Sequence, residues 1–209
     1  TLPDAPPPAR LMLGIKPQML SVVAPQLAHA VGPATTVLSI LAGTRHATLA
    51  QHFPQARSIV RVMPNLPVAT GQGVVALYAP TGPSDVTTAL MAPLGLVEWI
   101  GDEALFDAVT ALSGSGPAFV YRFVQALAEG GVAMGLAPDV ADRLARATVQ
   151  GAASLAAASS DALPALADRV ASKGGSTRVG LDVLDEAGLT ALIERALRAA
   201  QARNRVLAG

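Results

Sequence analysis

The alternation of strand and helix signals stops at about Asp102, and this change constrains the fold more than any other feature of the chain. Before it, short apolar runs end at Gly, Pro or Asn and give way to helical patterns. They cover 11–15, 36–41, 58–63, 73–79 and 97–100. This pattern predicts an α/β layer with parallel strands. Only helical periodicity follows, so we expect an α/β domain over 1–102 and an all-α domain over 103–209.

The second part is built from small apolar residues. Helices are predicted over 116–134, 138–157, 161–171, 177–186 and 189–207, rich in Ala, Gly, Val and Leu. About a hundred residues with so few large side chains give a thin core for one monomer. We therefore expect this part to pair with a second copy through a large apolar interface. The alternative is a self-contained helical bundle.

Composition excludes several classes of function. Lys plus Arg and Asp plus Glu number 15 each, so a net charge of zero gives no reason to expect nucleic acid or an anionic membrane as partner. The absence of cysteine excludes disulfides and thiolate chemistry. His29, His46 and His52 lack a metal-ligand spacing, so no metal site is expected. No stretch reaches the ~20 apolar residues of a membrane span and no signal peptide is visible, which predicts a cytoplasmic protein.

The segment ASKGGST, residues 171–177, has the composition of an anion site. Gly174 and Gly175 let the backbone fold tightly and expose its N–H groups. Ser176 and Thr177 stand where a helix is predicted to begin. Free N–H groups at a helix N-terminus, with hydroxyls beside them, suit a carboxylate or phosphate. A capped helix after a flexible loop explains the same residues, and both interpretations remain open at this point.

Three further segments end predicted strands, and a fourth stands before a helix. They are GIKPQ (14–18), SILAG (39–43), RVMPNLP (61–67) and ALSGSGPAF (111–119). Ligands bind at the carboxyl ends of strands in open α/β sheets, so these turns are candidate binding segments. In the fourth, Ser115 is the expected cap of the helix. A surface lysine at 16 and a turn-forming asparagine at 65 are the alternative interpretations.

Taken together and in this order, the segments resemble the pyrroline-5-carboxylate reductase family. The family patterns A-V-K-P-Q, S-I-A-A-G, R-x-M-P-N-T-P and S-P-G-G-T-T each have a counterpart above, and F-D-A-V-T-A-L-S-G-S-G-P-A is matched at every position from Phe106 to Ala118. The resemblance runs from Leu11 onward. It implies a Rossmann-type domain, truncated here, followed by a helical dimerisation domain. The implied activity is reduction of 1-pyrroline-5-carboxylate to L-proline with NADPH or NADH.

The resemblance also implies a homodimer, which can assemble further, and a set of site residues. The substrate would lie where the nicotinamide of one subunit meets the helical domain of its partner. Thr177 matches the threonine whose hydroxyl faces the ring nitrogen, which makes it the catalytic candidate. The cofactor would contact Lys16, Pro17, Ala42, Gly43, Met63 and Asn65. The substrate would contact Ser115, Ser172, Gly174, Gly175, Ser176 and Thr177.

This sequence departs from the family pattern at three places. Lys173 replaces a proline, which makes the loop less rigid and adds a charge. This charge either tightens the binding of a carboxylate or, as we expect, is solvated. Leu66 replaces a threonine, which we expect to alter packing alone. The family's first strand, its glycine-rich turn and the region that selects NADPH or NADH have no counterpart here, so these 209 residues alone are expected to bind the dinucleotide poorly.

Two other classes of protein compete with this interpretation. A β-hydroxyacid-type dehydrogenase needs a catalytic lysine on the first long helix of its helical domain, and 116–134 contains no lysine. A helical dimerisation module without activity is the second alternative, and a measurement of dinucleotide binding would separate it from an enzyme.

Overall fold

The structure is a computed structural model that describes residues 6–208, with the side chains of residues 6–206. Its contacts group the chain into two compact units. We call Thr1–Pro117 together with Leu197–Gly209 the α/β unit, and Ala118–Ala196 the helical unit.

A five-stranded sheet with the order β1-β2-β3-β4-β5 forms the centre of the α/β unit, and all five predicted strands are confirmed. The strands are β1 Arg10–Leu13, β2 Thr36–Ser39, β3 Ser58–Pro64, β4 Gly73–Tyr78 and β5 Gly95–Trp99. The helices between them are α1 Leu20–Leu27, α2 His46–His52 and α3 Asp85–Met91. Single 3₁₀ turns cover Pro17–Met19, Ala28–Ala30, Leu66–Thr70 and Ala92–Leu94.

One pair of neighbouring strands runs against the expectation of a parallel sheet. β1–β2, β2–β3 and β4–β5 are parallel, whereas β3 and β4 are antiparallel. The expectation is wrong for this pair because only residues 65–72 connect the two strands, and a crossover to a parallel neighbour needs about a dozen residues or more.

Both faces of the sheet are buried. Alternate residues of each strand point to opposite faces, so neighbours such as Val37 and Leu38 belong to different clusters. The first cluster packs α1 and α2 against the sheet with Leu13, Leu20, Ala24, Val37, Leu49, Phe53 and Ile59. The second contains Leu38, Val60, Val62, Val75, Leu77 and Met91. Because helices and turns cover the faces, the carboxyl edge of the parallel strands is the part of the sheet left for a ligand.

From Glu103 the chain is helical, with a π-helical turn where the sequence suggested a loop. The elements are a 3₁₀ turn Glu103–Leu105, α4 Phe106–Val109, the π turn Thr110–Gly114, α5 Gly116–Ala133, α6 Pro138–Ala158, α7 Leu163–Val170, α8 Ser176–Glu186 and α9 Leu189–Ala208. Between the two elements, Ser115 has helical backbone angles, and its N–H donates to the carbonyl of Thr110 over 3.2 Å. The prediction of Ser115 as a helix cap is therefore wrong, because the π turn carries the helix through it.

The helical unit leaves its large apolar side chains exposed. In its described residues, burial is confined to Gly131, Ala141, Ala145 and Ala171. Large exposed side chains include Tyr121, Phe123, Leu144, Leu155, Leu163, Val183 and Leu192. As a single copy, this unit therefore lacks the buried large side chains that stabilise the α/β unit.

The proline-rich start of the chain is fastened to the sheet by Thr35. This residue is fully buried at the start of β2, and its hydroxyl donates to the carbonyl of Pro8 over 2.7 Å. The same oxygen accepts the N–H of Gly32 over 3.2 Å. Thr35 therefore satisfies the carbonyl of Pro8 and the N–H of the buried Gly32.

We expect Thr35→Val to lower the free energy of unfolding by about 1–3 kcal/mol, because it leaves the N–H of the buried Gly32 without a partner. Urea denaturation measures the effect. The control is Thr36→Val on β2, which keeps both hydrogen bonds and should change the free energy by less than about 0.5 kcal/mol. Equal stabilities of the two variants would contradict the role given to Thr35.

Candidate active site

The carboxyl ends of the first three strands meet at one edge of the sheet. β1, β2 and β3 are adjacent and parallel, with Leu13 paired to Ser39 and Ser39 paired to Arg61. The turns that follow them carry most of the predicted cofactor residues. Parallel strands in register place these turns side by side.

A cavity of about 150 Å³ opens at this edge. It is lined by Pro17, Gln18, Ala42, Gly43, Arg61, Asp107, Thr110 and Asn204. A more open cavity of about 580 Å³ shares Pro17, Gln18, Ala42 and Gly43 and adds Thr44, Arg45, Thr48 and His52. The structure thus brings together three of the predicted cofactor residues, Pro17, Ala42 and Gly43, whereas Lys16 is exposed and does not line either cavity.

The turn at Ala42–Gly43 suits the close approach of a flat ring. Gly43 has a φ of +76°, a left-handed conformation that favours glycine. Ala42 is exposed and carries only a methyl group. The turn at Ala42–Gly43 therefore presents no bulky side chain of its own to a ligand at this edge.

Met63 and Asn65 are occupied by contacts within the protein. Met63 is buried against Ala76 and Phe106. The amide of Asn65 donates to the carbonyl of Ser113 over 3.0 Å, and its oxygen accepts the N–H of Val74 over 2.8 Å. Asn65 thereby joins the end of β3 to β4 and to the π turn that precedes Ser115. A direct contact of Met63, Asn65 or Ser115 with a ligand stays a prediction.

An ion pair near the same edge was missed by the sequence analysis. The Arg61 side chain is 6% exposed, and its Nη1 lies 2.8 Å from Oε1 of Glu103. The guanidinium carbon lies 4.3 Å from the centre of the Phe106 ring. Glu103 lies 42 residues further along the chain. No local pattern links the two positions, so only tertiary structure reveals the pair.

In the helical unit, Ser172 to Gly175 form a tight turn that favours glycine at two positions. Gly174 has a φ of +74°, and the N–H of Gly175 donates to the carbonyl of Ser172 over 2.9 Å. A methyl group on Gly175 would lie 2.6 Å from the hydroxyl oxygen of Ser172 and 3.1 Å from its carbonyl oxygen. A larger residue at 175 would force the Ser172 hydroxyl to rotate away and would press on the Ser172 carbonyl oxygen.

Helix α8 begins at Ser176, as the anion-site interpretation requires. Its N-cap is Gly175, which has no side chain to cap the helix. Among residues 6–208, none accepts a hydrogen bond from the N–H groups of Ser176 or Thr177. Both residues are exposed. Two free N–H groups at the positive end of a helix favour an anion.

The turn thus gathers five of the predicted substrate residues, Ser172, Gly174, Gly175, Ser176 and Thr177, at one helix start. Behind them, the guanidinium of Arg178 pairs with the carboxylate of Asp168 and donates to the carbonyl of Ala171 over 3.5 Å. Lys173 is exposed on the turn. Arg178 was not singled out from the sequence, because Asp168 lies on a different helix.

A family model described as pyrroline-5-carboxylate reductase dimerisation matches residues 103–207. The chain is 38% identical over 202 residues to the pyrroline-5-carboxylate reductase of Pseudomonas aeruginosa, covering 95% of this chain and 74% of that protein.

Solved structures of the same description superpose closely on this one. A pyrroline-5-carboxylate reductase from Coxiella burnetii matches with a TM-score of 0.89 and 31% identity, covering 95% of this chain and 76% of the other. A pyrroline carboxylate reductase of Plasmodium falciparum with NADP bound matches with a TM-score of 0.81 and 25% identity, covering 96% and 78%. With the family model over 103–207 and relatives matched over nearly all of its length, the chain belongs to the pyrroline-5-carboxylate reductase family.

Proposed function

We propose that the turn at 172–175 and the start of α8 hold the carboxylate of the substrate, and that Pro17, Ala42 and Gly43 hold the nicotinamide end of the cofactor. As a member of its family, the protein is an NAD(P)H-dependent oxidoreductase that converts 1-pyrroline-5-carboxylate to L-proline. The observation that carries the substrate assignment is the pair of free N–H groups at Ser176 and Thr177, behind a turn that favours glycine.

The residues at α8 contribute position and electrostatics. The dinucleotide supplies the hydride that reduces the imine carbon. The Thr177 hydroxyl is placed at the helix start, where it can hydrogen-bond the ring nitrogen as that atom becomes an amine, while the free N–H groups fix the carboxylate. If the imine binds in its protonated form, no further acid or base is needed. This agrees with a turn that contains neither a carboxylate nor a histidine.

We propose that residues 1–102 serve the cofactor and residues 103–209 serve dimerisation and the substrate. The family match over 103–207 supports the second assignment. We further propose a homodimer formed through the helical unit, supported by the exposed apolar side chains of that unit. Assembly beyond a dimer and the exclusion of nucleic acid as a partner stay predictions.

No helix in the described part of the chain is both long enough and apolar enough to cross a membrane. The cytoplasmic location expected from the sequence, and the choice between NADPH and NADH, stay predictions.

Gly175→Ala tests the substrate site. We expect KM for 1-pyrroline-5-carboxylate to rise by about tenfold, because the new methyl group forces the Ser172 hydroxyl, a proposed substrate contact, out of its position. KM for NAD(P)H should change little. Steady-state kinetics, followed by the absorbance of NAD(P)H and by the proline formed, measure both constants.

The control for this variant is Gly101→Ala, because a methyl group on the exposed Gly101 meets no atom within 4 Å. It should leave both KM values as in the wild-type enzyme. An unchanged substrate KM in Gly175→Ala would remove the substrate from this turn.

A further inference from the structure

We propose that Glu103 and Arg61 are positioning residues for the cofactor, which act by holding the turn at Ala42–Gly43 in place. This inference rests on the proposed cofactor site and goes beyond it, because neither side chain is assigned there to contact the dinucleotide.

Helix α2 is capped from a distant part of the chain. Its N-cap residue, Arg45, makes no side-chain hydrogen bond to the helix. Instead, the N–H of His46 donates to Oε1 of Glu103 over 2.6 Å, although Glu103 lies 57 residues further along the chain. The first N–H groups of a helix have no partner inside it, so a carboxylate here satisfies a donor and faces the positive end of the helix.

The same carboxylate oxygen also binds Arg61. Oε1 of Glu103 accepts from Arg61 Nη1 over 2.8 Å and from the His46 N–H, so one atom joins β3 to the start of α2. The Glu103 side chain is 24% exposed and that of Arg61 only 6%, so water competes little for the arginine. A buried arginine that lacks a carboxylate partner strongly destabilises a protein. The ion pair with Arg61 therefore favours this position of the Glu103 side chain.

Aromatic rings pack against Arg61 and against His46, the two groups that Glu103 joins. Phe106 is 1% exposed, and the Arg61 guanidinium lies over its ring at 4.3 Å. The ring of Tyr78 packs edge-on against both Phe106 and His46, with centres 6.4 Å and 6.3 Å away. Arg61 and the start of α2 are thus linked both through Glu103 and through these rings.

The N-terminus of α2, to which Glu103 is bonded, follows directly after the candidate cofactor turn at Ala42–Gly43. Between β2 and α2 the chain passes through Ala42, Gly43, Thr44 and Arg45, and Gly43 lines a cavity together with Arg61. α2 spans only His46–His52 and its N-cap residue Arg45 adds no side-chain hydrogen bond, so Glu103 supplies the side-chain acceptor at its N-terminus. Release of His46 by Glu103 would let the Ala42–Gly43 turn shift, and this shift would weaken the binding of the cofactor.

Variants of Glu103 in the enzyme test this role, because a positioning residue for the cofactor should change KM for NAD(P)H and leave kcat and the substrate KM nearly unchanged. We expect Glu103→Ala to raise KM for NAD(P)H by about tenfold, with kcat and the substrate KM within about twofold of the wild-type values. Glu103→Gln keeps an acceptor for the His46 N–H and should raise the cofactor KM only roughly threefold, because a neutral acceptor retains about half of the free energy of a charged one. Glu98→Ala removes an exposed glutamate on β5 and is the matched control.

Two comparisons decide the outcome. Ala42→Leu adds bulk at an exposed position of the turn and reports whether the cofactor is there at all; an unchanged cofactor KM in this variant would overturn the cofactor site and the positioning role with it. A raised cofactor KM in Ala42→Leu, together with an unchanged one in Glu103→Ala whose melting temperature falls, would overturn the positioning role alone. If Glu103→Ala fails to fold, the test compares the cofactor KM of Glu103→Gln with that of Glu98→Ala. A higher KM in Glu103→Gln supports the positioning role, and equal KM values overturn it.

Discussion

Thr177→Ala is expected to lower kcat/KM for 1-pyrroline-5-carboxylate by roughly 5- to 150-fold, which corresponds to about 1–3 kcal/mol of lost transition-state stabilisation. The hydroxyl stands at the second residue of α8, beside two N–H groups that have no partner in the described chain. A group that hydrogen-bonds the ring nitrogen gains strength as the imine becomes an amine. Its loss should therefore appear in kcat as well as in KM.

Thr177→Ala should affect activity without affecting the stability of the fold. Thr177 is exposed, and none of the hydrogen bonds among the described residues involves its side chain. Removing the hydroxyl should therefore change the free energy of unfolding by less than about 0.5 kcal/mol. Thr177→Ser keeps a hydroxyl at the same atom and is expected to retain most of the activity. Wild-type kcat/KM in Thr177→Ala, or equal losses in the alanine and serine variants, would show that the hydroxyl has no part in the reaction.

Local patterns were sufficient to predict the elements of the α/β unit but not all of their relations. Each strand shows as an apolar run closed by Gly, Pro or Asn, and all five were found. β1 was expected over 11–15 and covers Arg10–Leu13, because Lys16–Pro17 already begins a 3₁₀ turn. The antiparallel pairing of β3 and β4 follows from the length of residues 65–72, a constraint that strand periodicity does not contain.

In the site, too, features contained in one short segment were predicted, and contacts between distant segments were missed. The turn at Gly174–Gly175 and the start of α8 were predictable because one short segment contains every residue needed. The bridge from Glu103 to His46 and Arg61 joins three segments far apart in sequence, so no motif announces it. Ser115 was misread as a cap because Ser-Gly-Ser-Gly favours turns, whereas the π turn at Thr110–Gly114 keeps the backbone helical.

Phe123→Glu is expected to separate the proposed homodimer into monomers. Val120, Phe123 and Leu127 follow one another at helical spacing on α5, and their side chains are 46%, 46% and 41% exposed in the single chain. A carboxylate in the middle of this stripe would lose its hydration on association without gaining a partner. Loss of a central aromatic contact of this kind weakens association by roughly 2–4 kcal/mol, or about 30- to 1,000-fold in Kd.

Sedimentation at low micromolar concentration measures the change, and Gln125→Glu is the matched control because it places the same charge on the opposite side of the same helix. The wild-type protein and Gln125→Glu should sediment as dimers and Phe123→Glu as a monomer.

The melting temperature gives a second, independent measure of the dimer. Since the described residues of the helical unit bury only Gly131, Ala141, Ala145 and Ala171, that unit depends on its partner for an apolar core. The wild-type melting temperature should therefore fall on dilution, whereas that of Phe123→Glu should be low and independent of concentration. A Phe123→Glu protein that remains dimeric, with wild-type stability at every concentration, would place the interface elsewhere and leave the exposed face of α5 without its proposed partner.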